Sequence, residues 1–184
     1  SGGLGVPVNS ADSNIRTGMP DLDLVLQLGP SLDIVFDNDK TDAREWRMEL
    51  PLRVAIATDF SHTQNIGWLL EPRLVYDSDR LRRAGWAYEF TAGMRFATDK
   101  YHAYYYDVAP QYATPVRPAF ESSGGYSGLF TDLIASWRKN SLIYFAWARY
   151  QYLGGSAYED SPLVEDTSYI FVGVGLSWIF AESL

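Results

Sequence analysis

The chain of 184 residues has few side chains for nucleophilic or metal chemistry. It contains no cysteine and only two histidines, which excludes a thiol nucleophile and leaves too few imidazoles for a histidine-built metal centre. His62 follows Ser61, and His102 lies three residues after Asp99. A catalytic histidine needs an orienting acid and a nucleophile within hydrogen-bond reach, and neither spacing indicates such a set. We therefore predict no enzymatic activity, no cofactor and no metal site.

Arginine and glutamate residues form a second group of interest, because they recur two residues apart along single segments. The group comprises Glu45, Arg47, Glu49, Arg53, Glu71, Arg73, Glu89 and Arg95. Residues two apart point to the same face of a β-strand, so opposite charges in this group can pair. Such a ladder either fills the inside of a barrel with salt bridges or selects solutes in a pore. The acidic segments 37–43 and 159–166 could bind divalent cations or bridge to lipopolysaccharide, although such runs are more often solvated loop tips.

The segments that carry these charges alternate apolar and polar residues. In 22–36 every even position is apolar, and a period of two is typical of a strand with one apolar face. The same pattern occurs in 45–60, 66–77, 86–98 and 168–180, and a weaker one in 101–108, 128–138 and 142–153. Polar connections separate the segments. The sequence therefore predicts an all-β protein with eight antiparallel strands.

Two kinds of barrel fit this pattern. In a soluble, lipocalin-like barrel the apolar face lines a ligand cavity, whereas in an outer-membrane barrel it meets lipid and the charges line the lumen. Fifteen residues at about 3.3 Å each span roughly 50 Å, enough to cross an apolar band of about 25 Å even when tilted. Aromatic residues near the strand ends favour the membrane barrel, in which they would form girdles. They are Trp46, Phe60, Trp68, Trp86, Trp178 and Phe180.

The bulk composition excludes two other classes. The formal net charge is −8, which argues against nucleic-acid binding through a basic surface. No run approaches the roughly 18 apolar residues that a membrane helix requires.

Several stretches resemble the MipA/OmpV family of outer-membrane proteins, which is named for a scaffold that interacts with the lytic transglycosylase MltA. They are GMPDLDLVLQLGPSLDI (18–34), YYYDV (104–108), SGGYSGLF (123–130), GSAYEDSPLVED (155–166) and GVGLSWIF (173–180). They occur in family order and cover most of the chain from residue 7 onward. The resemblance implies a β-barrel in the outer membrane of a Gram-negative bacterium. By analogy with the founding member, it also implies a scaffold that links a lytic transglycosylase to a peptidoglycan synthase.

The resemblance also sets expectations for topology. With the C-terminus in the periplasm, the long connections 37–43, 77–83, 109–125 and 154–167 are predicted to be extracellular. The short ones, 61–65, 98–100 and 138–141, are predicted to be periplasmic. GLGVPV (3–8) indicates part of a ninth strand, and an even strand count together with the family pattern suggests about ten to twelve strands in the full protein. Residues 1–184 are expected to be a single outer-membrane barrel domain that lacks its N-terminal strands and signal peptide. We expect 168–180 to pair with 142–153 and with a strand upstream of Ser1.

The sequence thus predicts a non-enzymatic scaffold or interaction protein. Its expected partners are outer-membrane lipid and lipopolysaccharide and, by resemblance, the two cell-wall enzymes. The alternative function is a small-solute channel through the lumen lined by arginine and glutamate.

Overall fold

A computed structural model describes residues 1–12, 14–39, 43–79 and 84–180. Ten strands form one antiparallel sheet, and the all-β prediction is confirmed. The strands are β1 (Gly2–Gly5), β2 (Leu24–Leu28), β3 (Ser31–Asp39), β4 (Arg44–Thr58), β5 (Thr63–Leu70), β6 (Arg73–Asp77), β7 (Gly85–Ala97), β8 (Gly125–Lys139), β9 (Leu142–Tyr152) and β10 (Ser168–Trp178). One α-helix, α1 (Asp99–Tyr106), and two short 3₁₀ helices (Ser10–Asp12 and Pro110–Tyr112) lie in the connections.

Two of the predicted strands are interrupted at a proline. The segment 22–36 divides at Pro30 into β2 and β3, which lie end to end along β4. The segment 66–77 divides at Pro72 into β5 and β6, which lie end to end between β4 and β7. Proline has no N–H to donate to a strand ladder, but the carbonyl oxygens of Pro30 and Pro72 still accept hydrogen bonds from Leu52 and Met94. The sheet therefore continues across both interruptions.

The strand predicted for 101–108 is wrong, because Asp99–Tyr106 forms the helix α1. Nearly every residue in this stretch is aromatic or apolar, so a period of two could not be distinguished from a helical one. In the helix, Tyr101 contacts Tyr105 with ring centroids 5.0 Å apart, and His102 contacts Tyr106 at 6.5 Å. These are pairs four residues apart, which share one face of a helix.

Replacing this strand by a helix changes the predicted grouping of the connections. Successive strands are antiparallel, so the connections β1–β2, β4–β5, β7–β8 and β9–β10 join strands at one end of the sheet, and the connections β3–β4, β6–β7 and β8–β9 join strands at the other. The predicted long connections 37–43 and 77–83, of which 40–42 and 80–83 lie outside the described residues, therefore belong to the same end as 138–141. The predicted short connections 61–65 and 98–100 share the opposite end with 109–125 and 154–167. Three connections at that end are long, whereas those at the other end are short.

The sheet curls around an interior cavity whose lining includes residues near both ends of the strand order, Val6 after β1 and Phe171 of β10. The partial strand predicted at 3–8 is present as β1, which pairs with β2. β10 pairs with β9 as expected. In the described ranges no ladder joins β10 to β1, β2 or β3, and the expected pairing of β10 with a strand upstream of Ser1 stays a prediction.

The sheet has charged residues on its inner face and apolar residues on its outer face, which is the reverse of the arrangement in a water-soluble protein. Inward side chains include the buried charges of Glu49, Arg53 and Glu71, whereas outward side chains such as Phe90 and Leu133 are apolar and exposed. Charged residues are rarely buried unless they are paired, so the inner face must supply partners for these groups. No helix in the described part of the chain is long and apolar enough to cross a membrane.

One inward residue breaks the predicted alternation. Ile66 occupies an even position but is buried against Val25, Ala57 and Leu69. A bulge lies here, because Ala55 pairs with Gly67 and Ile56 with Asn65, which leaves Ile66 as the extra residue. Gly67 adopts a φ of +122°, a conformation that favours glycine. The bulge therefore reverses the facing of Ile66 and brings the backbone at Gly67 against α1.

The close approach at Gly67 predicts a specific loss of stability. A Cβ at Gly67 would collide with Thr98 Oγ1 and would lie 3.0 Å from the backbone nitrogen of Tyr101. Gly125 has a similar φ of +131° but open space around it, so Gly125→Ala is a matched control for backbone strain. We expect Gly67→Ala to lower the free energy of unfolding by about 1–3 kcal/mol more than Gly125→Ala does, the usual cost of overpacking. Urea unfolding in lipid vesicles measures this difference. Equal losses in the two variants would contradict the close packing of α1 against β5.

Candidate functional site

The eight arginine and glutamate residues singled out in the sequence lie on the inner face and form two ion-pair clusters. In the cluster nearer the short connections, Arg47 Nε lies 2.7 Å from Glu49 Oε1, and its Nη1 lies 3.4 Å from Glu45 Oε1. Arg73 Nη2 lies 2.5 Å from Glu49 Oε2, and Arg47 Nη2 lies 3.9 Å from Glu89 Oε2. Glu49 thus holds two guanidinium groups, one from its own strand and one from β6.

The second cluster lies nearer the long connections. Glu71 pairs with both Arg53 and Arg95, and its Oε1 lies 2.6 Å from Arg95 Nη2. Arg53 Nη1 also donates to Gln27 at 3.3 Å, and Gln27 Nε2 donates to the hydroxyl of Tyr101 in α1 at 3.4 Å. The polar network of the inner face therefore continues to the helix.

Sequence reasoning missed a further ion pair on this face. Arg149 donates to both carboxylate oxygens of Asp132, at 2.6 and 2.8 Å, and the two residues are direct partners in the β8–β9 ladder. The two-residue connection 140–141 sets this register, because Lys139 pairs with Leu142. The tight turn in RKNS (138–141) was therefore the sequence feature from which the pairing of Asp132 with Arg149 could have been predicted.

The predicted aromatic residues lie at both ends of the outer face. Trp46, Trp86 and Trp178 are exposed near the short connections, with Phe180 beside Trp178, whereas Trp68 is exposed near the long connections. Phe60 lies with Trp68 at that end, in the connection 59–62.

The belt near the short connections includes residues that the sequence reasoning did not single out. Trp46 contacts Tyr76 with ring centroids 4.8 Å apart, Trp86 contacts Trp137 at 6.3 Å, and Trp137 contacts Tyr144 at 5.7 Å.

The end of the barrel with the long connections is closed by a packed assembly that we call the cap, consisting of 6–23, 98–124 and 153–167. Inside it, Tyr101 of α1 packs against inward residues of four strands, among them Val25, Ala57, Leu69 and Ala97. Met19, Val108 and Leu163, one from each connection, form a second cluster together with Tyr112 and Phe120. The three connections therefore share one apolar core that lies across the mouth of the lumen.

His102 links the cap to the barrel wall. It is fully buried, its Nδ1 lies 2.7 Å from the carbonyl oxygen of Ser123, and its Nε2 lies 2.6 Å from Ser127 Oγ. Tyr158 packs on the imidazole and donates from its hydroxyl to the carbonyl oxygen of Ser127 at 2.7 Å. Burial lowers the pKa of His102 and outweighs the opposing effect of the hydrogen bond to Ser123. The imidazole is therefore held in its neutral form.

Polar bonds at the rim tie the three connections together. Arg117 Nη1 donates to the carbonyl oxygen of Ile15 at 2.8 Å, and Arg16 Nη1 donates to that of Tyr105 at 3.1 Å. Ser161 Oγ donates to the carbonyl oxygen of Tyr106 at 2.7 Å. These bonds fix loops that are far apart in sequence.

The His102–Ser127 pair has the contact distance of a nucleophile and its base, but not their setting. Its second ring nitrogen faces a backbone carbonyl rather than a carboxylate, and Ser127 is only 1% exposed, so a substrate has no access to the hydroxyl. His62 lies in the exposed turn 59–62, where Asp59 accepts hydrogen bonds from the backbone nitrogens of Ser61 and His62. This pattern stabilises a turn. Across the described residues no group of three or more histidine and acidic side chains is placed to hold a metal ion.

Four of the five stretches that carry the family resemblance meet at the cap. Residues 18–34 contribute Met19 and Val25, 104–108 contribute the end of α1 and Val108, 123–130 contribute Ser127, and 155–166 contribute Tyr158 and Leu163. The cap is therefore the structure that these stretches build together, although the sequence reasoning placed 101–108 in a strand.

The buried neutral His102 predicts a pH-dependent stability. Because its pKa is lowered on folding, the unfolded chain binds the imidazole proton more tightly, and the free energy of unfolding should fall as the pH drops below about 6.5. His102→Gln removes this titration, so its free energy of unfolding should change less between pH 7 and 5. His62→Gln is the matched control, because the His62 side chain is 92% exposed and its loss should leave the slope unchanged. An unchanged slope in His102→Gln would contradict the assignment.

Comparison with curated proteins and with solved structures yields no significant match. Residues 1–180 match the model of the family described as MltA-interacting protein MipA. This match covers nearly the whole chain and confirms the resemblance seen in the short stretches, so the chain belongs to the MipA family.

Proposed function

We propose that this chain is a single outer-membrane β-barrel whose lumen is closed by its own cap, and that it acts as a non-enzymatic scaffold for cell-wall enzymes. The observation that carries the proposal is the position of α1. Tyr101 lies among inward residues of β2, β4, β5 and β7, and His102 is bonded to Ser127 of β8. A helix bonded to the wall on so many sides obstructs one end of the lumen, which favours a scaffold over an open channel.

The outer face supports the membrane location. On β7 the exposed residues Trp86, Phe90 and Met94 face outward between the aromatic belt at one end and Phe96 at the other. Ten residues at about 3.3 Å, tilted by about 40°, rise by roughly 25 Å, which is the height of the apolar band of an outer-membrane barrel. Lipid and lipopolysaccharide are the partners that such a surface would meet.

The lengths of the connections support one orientation. Outer-membrane barrels have short periplasmic turns and longer extracellular loops. On this rule the cap faces the outside, and the end of the sheet with the connections β3–β4, β6–β7 and β8–β9 faces the periplasm. This replaces the sequence-based assignment of 37–43 and 77–83 to the outside and of 61–65 and 98–100 to the periplasm.

The family description supplies the partner. The family is described as MltA-interacting, and we propose that this chain likewise binds a lytic transglycosylase of the MltA type. In the proposed orientation, an enzyme in the periplasm approaches the end with the short connections. A peptidoglycan synthase is the second partner in the scaffold that the resemblance implies.

The orientation can be tested by cysteine labelling, because the chain has no cysteine of its own. Ser141 and Asp160 are both exposed, in the short connection 140–141 and in the cap. We expect a membrane-impermeant maleimide to label Asp160→Cys on intact cells and to label Ser141→Cys only after the outer membrane is opened. Labelling of position 141 but not 160 on intact cells would reverse the orientation. Labelling of neither in an isolated outer-membrane fraction would contradict the membrane location.

The same two variants test the scaffold. We expect the purified barrel in lipid nanodiscs to bind purified MltA, and a bulky maleimide on Ser141→Cys to weaken that binding at least tenfold by steric exclusion. The same adduct on Asp160→Cys is the matched control and should leave binding unchanged. In planar bilayers the unmodified protein should give no steady conductance, because α1 obstructs one end of the lumen. Absence of MltA binding combined with a stable open current would contradict the scaffold and favour the small-solute channel.

A further inference from the structure

The lumen beneath the cap contains a cavity of about 760 Å³. This volume lies within the range of small-molecule sites, which is roughly 300–1,000 Å³. The lining combines charged residues of β4, β6, β7, β8 and β9 with Ile134, Trp147 and Phe171, which lie on β8, β9 and β10. The cavity therefore presents both charge and aromatic surface to whatever enters it.

The charged part of the lining contains four arginines and three carboxylates, so arginine is in excess there. In three of the ion pairs the guanidinium side chain is also more exposed than the carboxylate. Arg95 is 27% exposed against 6% for Glu71, and Arg149 is 36% exposed against 21% for Asp132. Arg73 is likewise 30% exposed, against 11% for Glu49. These three arginines line the cavity and are more accessible from it than the carboxylates that they pair with.

The aromatic wall is held in place by two glycines of β10. A Cβ at Gly173 would collide with the indole of Trp147, and a Cβ at Gly175 would collide with the ring of Phe145. These glycines are the direct ladder partners of the two aromatic residues. The absent side chains leave room for the rings on the inner face, where Trp147 lies two residues before Arg149 on β9 as an apolar part of the same cavity lining.

From this arrangement we infer that the lumen is a closed-ended binding site for a small organic anion with an aromatic or apolar body. The anionic group is bound by Arg73, Arg95 and Arg149, whose guanidinium forks suit carboxylate or sulfonate oxygens. The apolar body packs on Trp147 and Phe171. This site stands apart from the proposed scaffold function, because it lies inside the lumen and the docking surface for MltA lies outside it.

Arg95 and Arg73 can be substituted without leaving a buried carboxylate unpaired, because each of their partners has a second arginine. Glu71 keeps Arg53 when Arg95 is changed, and Glu49 keeps Arg47 when Arg73 is changed. Neither Arg95→Gln nor Arg73→Gln therefore leaves a buried carboxylate without a partner, and both variants are expected to fold. Lys139→Gln removes one positive charge at the short connection, outside the cavity lining, and is the matched control.

Two probes with the same naphthalene body test the site: 1-naphthoate, which is an anion, and 1-naphthylmethylammonium, which is a cation. Their binding is measured by equilibrium dialysis against the chain of 184 residues in nanodiscs, with empty nanodiscs subtracted. We expect 1-naphthoate to bind at least tenfold more tightly than the cation. We expect Arg95→Gln and Arg73→Gln each to weaken it about tenfold, the loss of a hydrogen bond to a charged group. Lys139→Gln should change it less than twofold, and Arg95→Lys should retain part of the affinity.

Several outcomes would overturn the inference. They are equal binding of the two probes, tighter binding of the cation, binding no greater than to empty nanodiscs at millimolar probe, or equal weakening by Lys139→Gln and Arg95→Gln. None of these results bears on MltA binding, which is measured separately with the adducts at positions 141 and 160. Failure of the anion site and failure of the scaffold are therefore distinguishable.

Discussion

The register between β4 and its neighbours is the constraint on which the inner face depends. A buried guanidinium or carboxylate is costly unless an opposite charge and further hydrogen bonds compensate for the lost water. Glu49 receives Arg73 because the two residues are direct partners in the β4–β6 ladder. A shift of β6 by one residue would turn Arg73 to the apolar face and bring Leu74 inside, opposite Glu49. The charges of the lumen and the apolar outer face are therefore two consequences of one register.

The cap depends on the same wall. Gln27 connects Arg53 of the wall to the hydroxyl of Tyr101 in α1, and the bulge at Gly67 removes a side chain where α1 approaches β5. The helix is short and has no side-chain cap at its N-terminus, so it is stabilised mainly by its surroundings, as is usual for helices of this length. This explains why an aromatic stretch without helical periodicity becomes a helix only inside the barrel.

The sequence predicted the features that depend on local alternation. It identified the outward and inward positions of β4, β7 and β10 and the charged residues of the inner face, because a period of two is visible within one segment. It did not predict α1, because burial on every side of YHAYYYDV removes periodicity. It also assigned Ile66 to the wrong face, because a bulge turns a side chain to the other face of the sheet without any change in the neighbouring sequence.

The sequence also did not show which residues of different strands form ion pairs. The pairs Arg95–Glu71 and Arg149–Asp132 join residues 24 and 17 positions apart, and only the register brings them together. The cap illustrates the same point on a larger scale, since its apolar core takes Met19, Val108 and Leu163 from three separate connections. The wrong strand at 101–108 also produced the wrong grouping of the connections. Neighbouring strands run in opposite directions, so one additional strand moves every preceding connection to the opposite end of the predicted barrel.

The arrangement of the ion pairs bears on whether the lumen only stabilises the barrel or also leaves space for a ligand. If the ion pairs only stabilised the barrel, we would expect both partners to be buried equally and little free volume to remain. Here Glu71 and Glu49 are buried more deeply than Arg95 and Arg73, and a cavity remains beside Trp147. His102 and Ser127, which join α1 to the barrel wall, are inaccessible and do not line that cavity. The barrel thus contains two distinct regions: a packed cap that includes α1, and a cavity lined by arginines and aromatic residues.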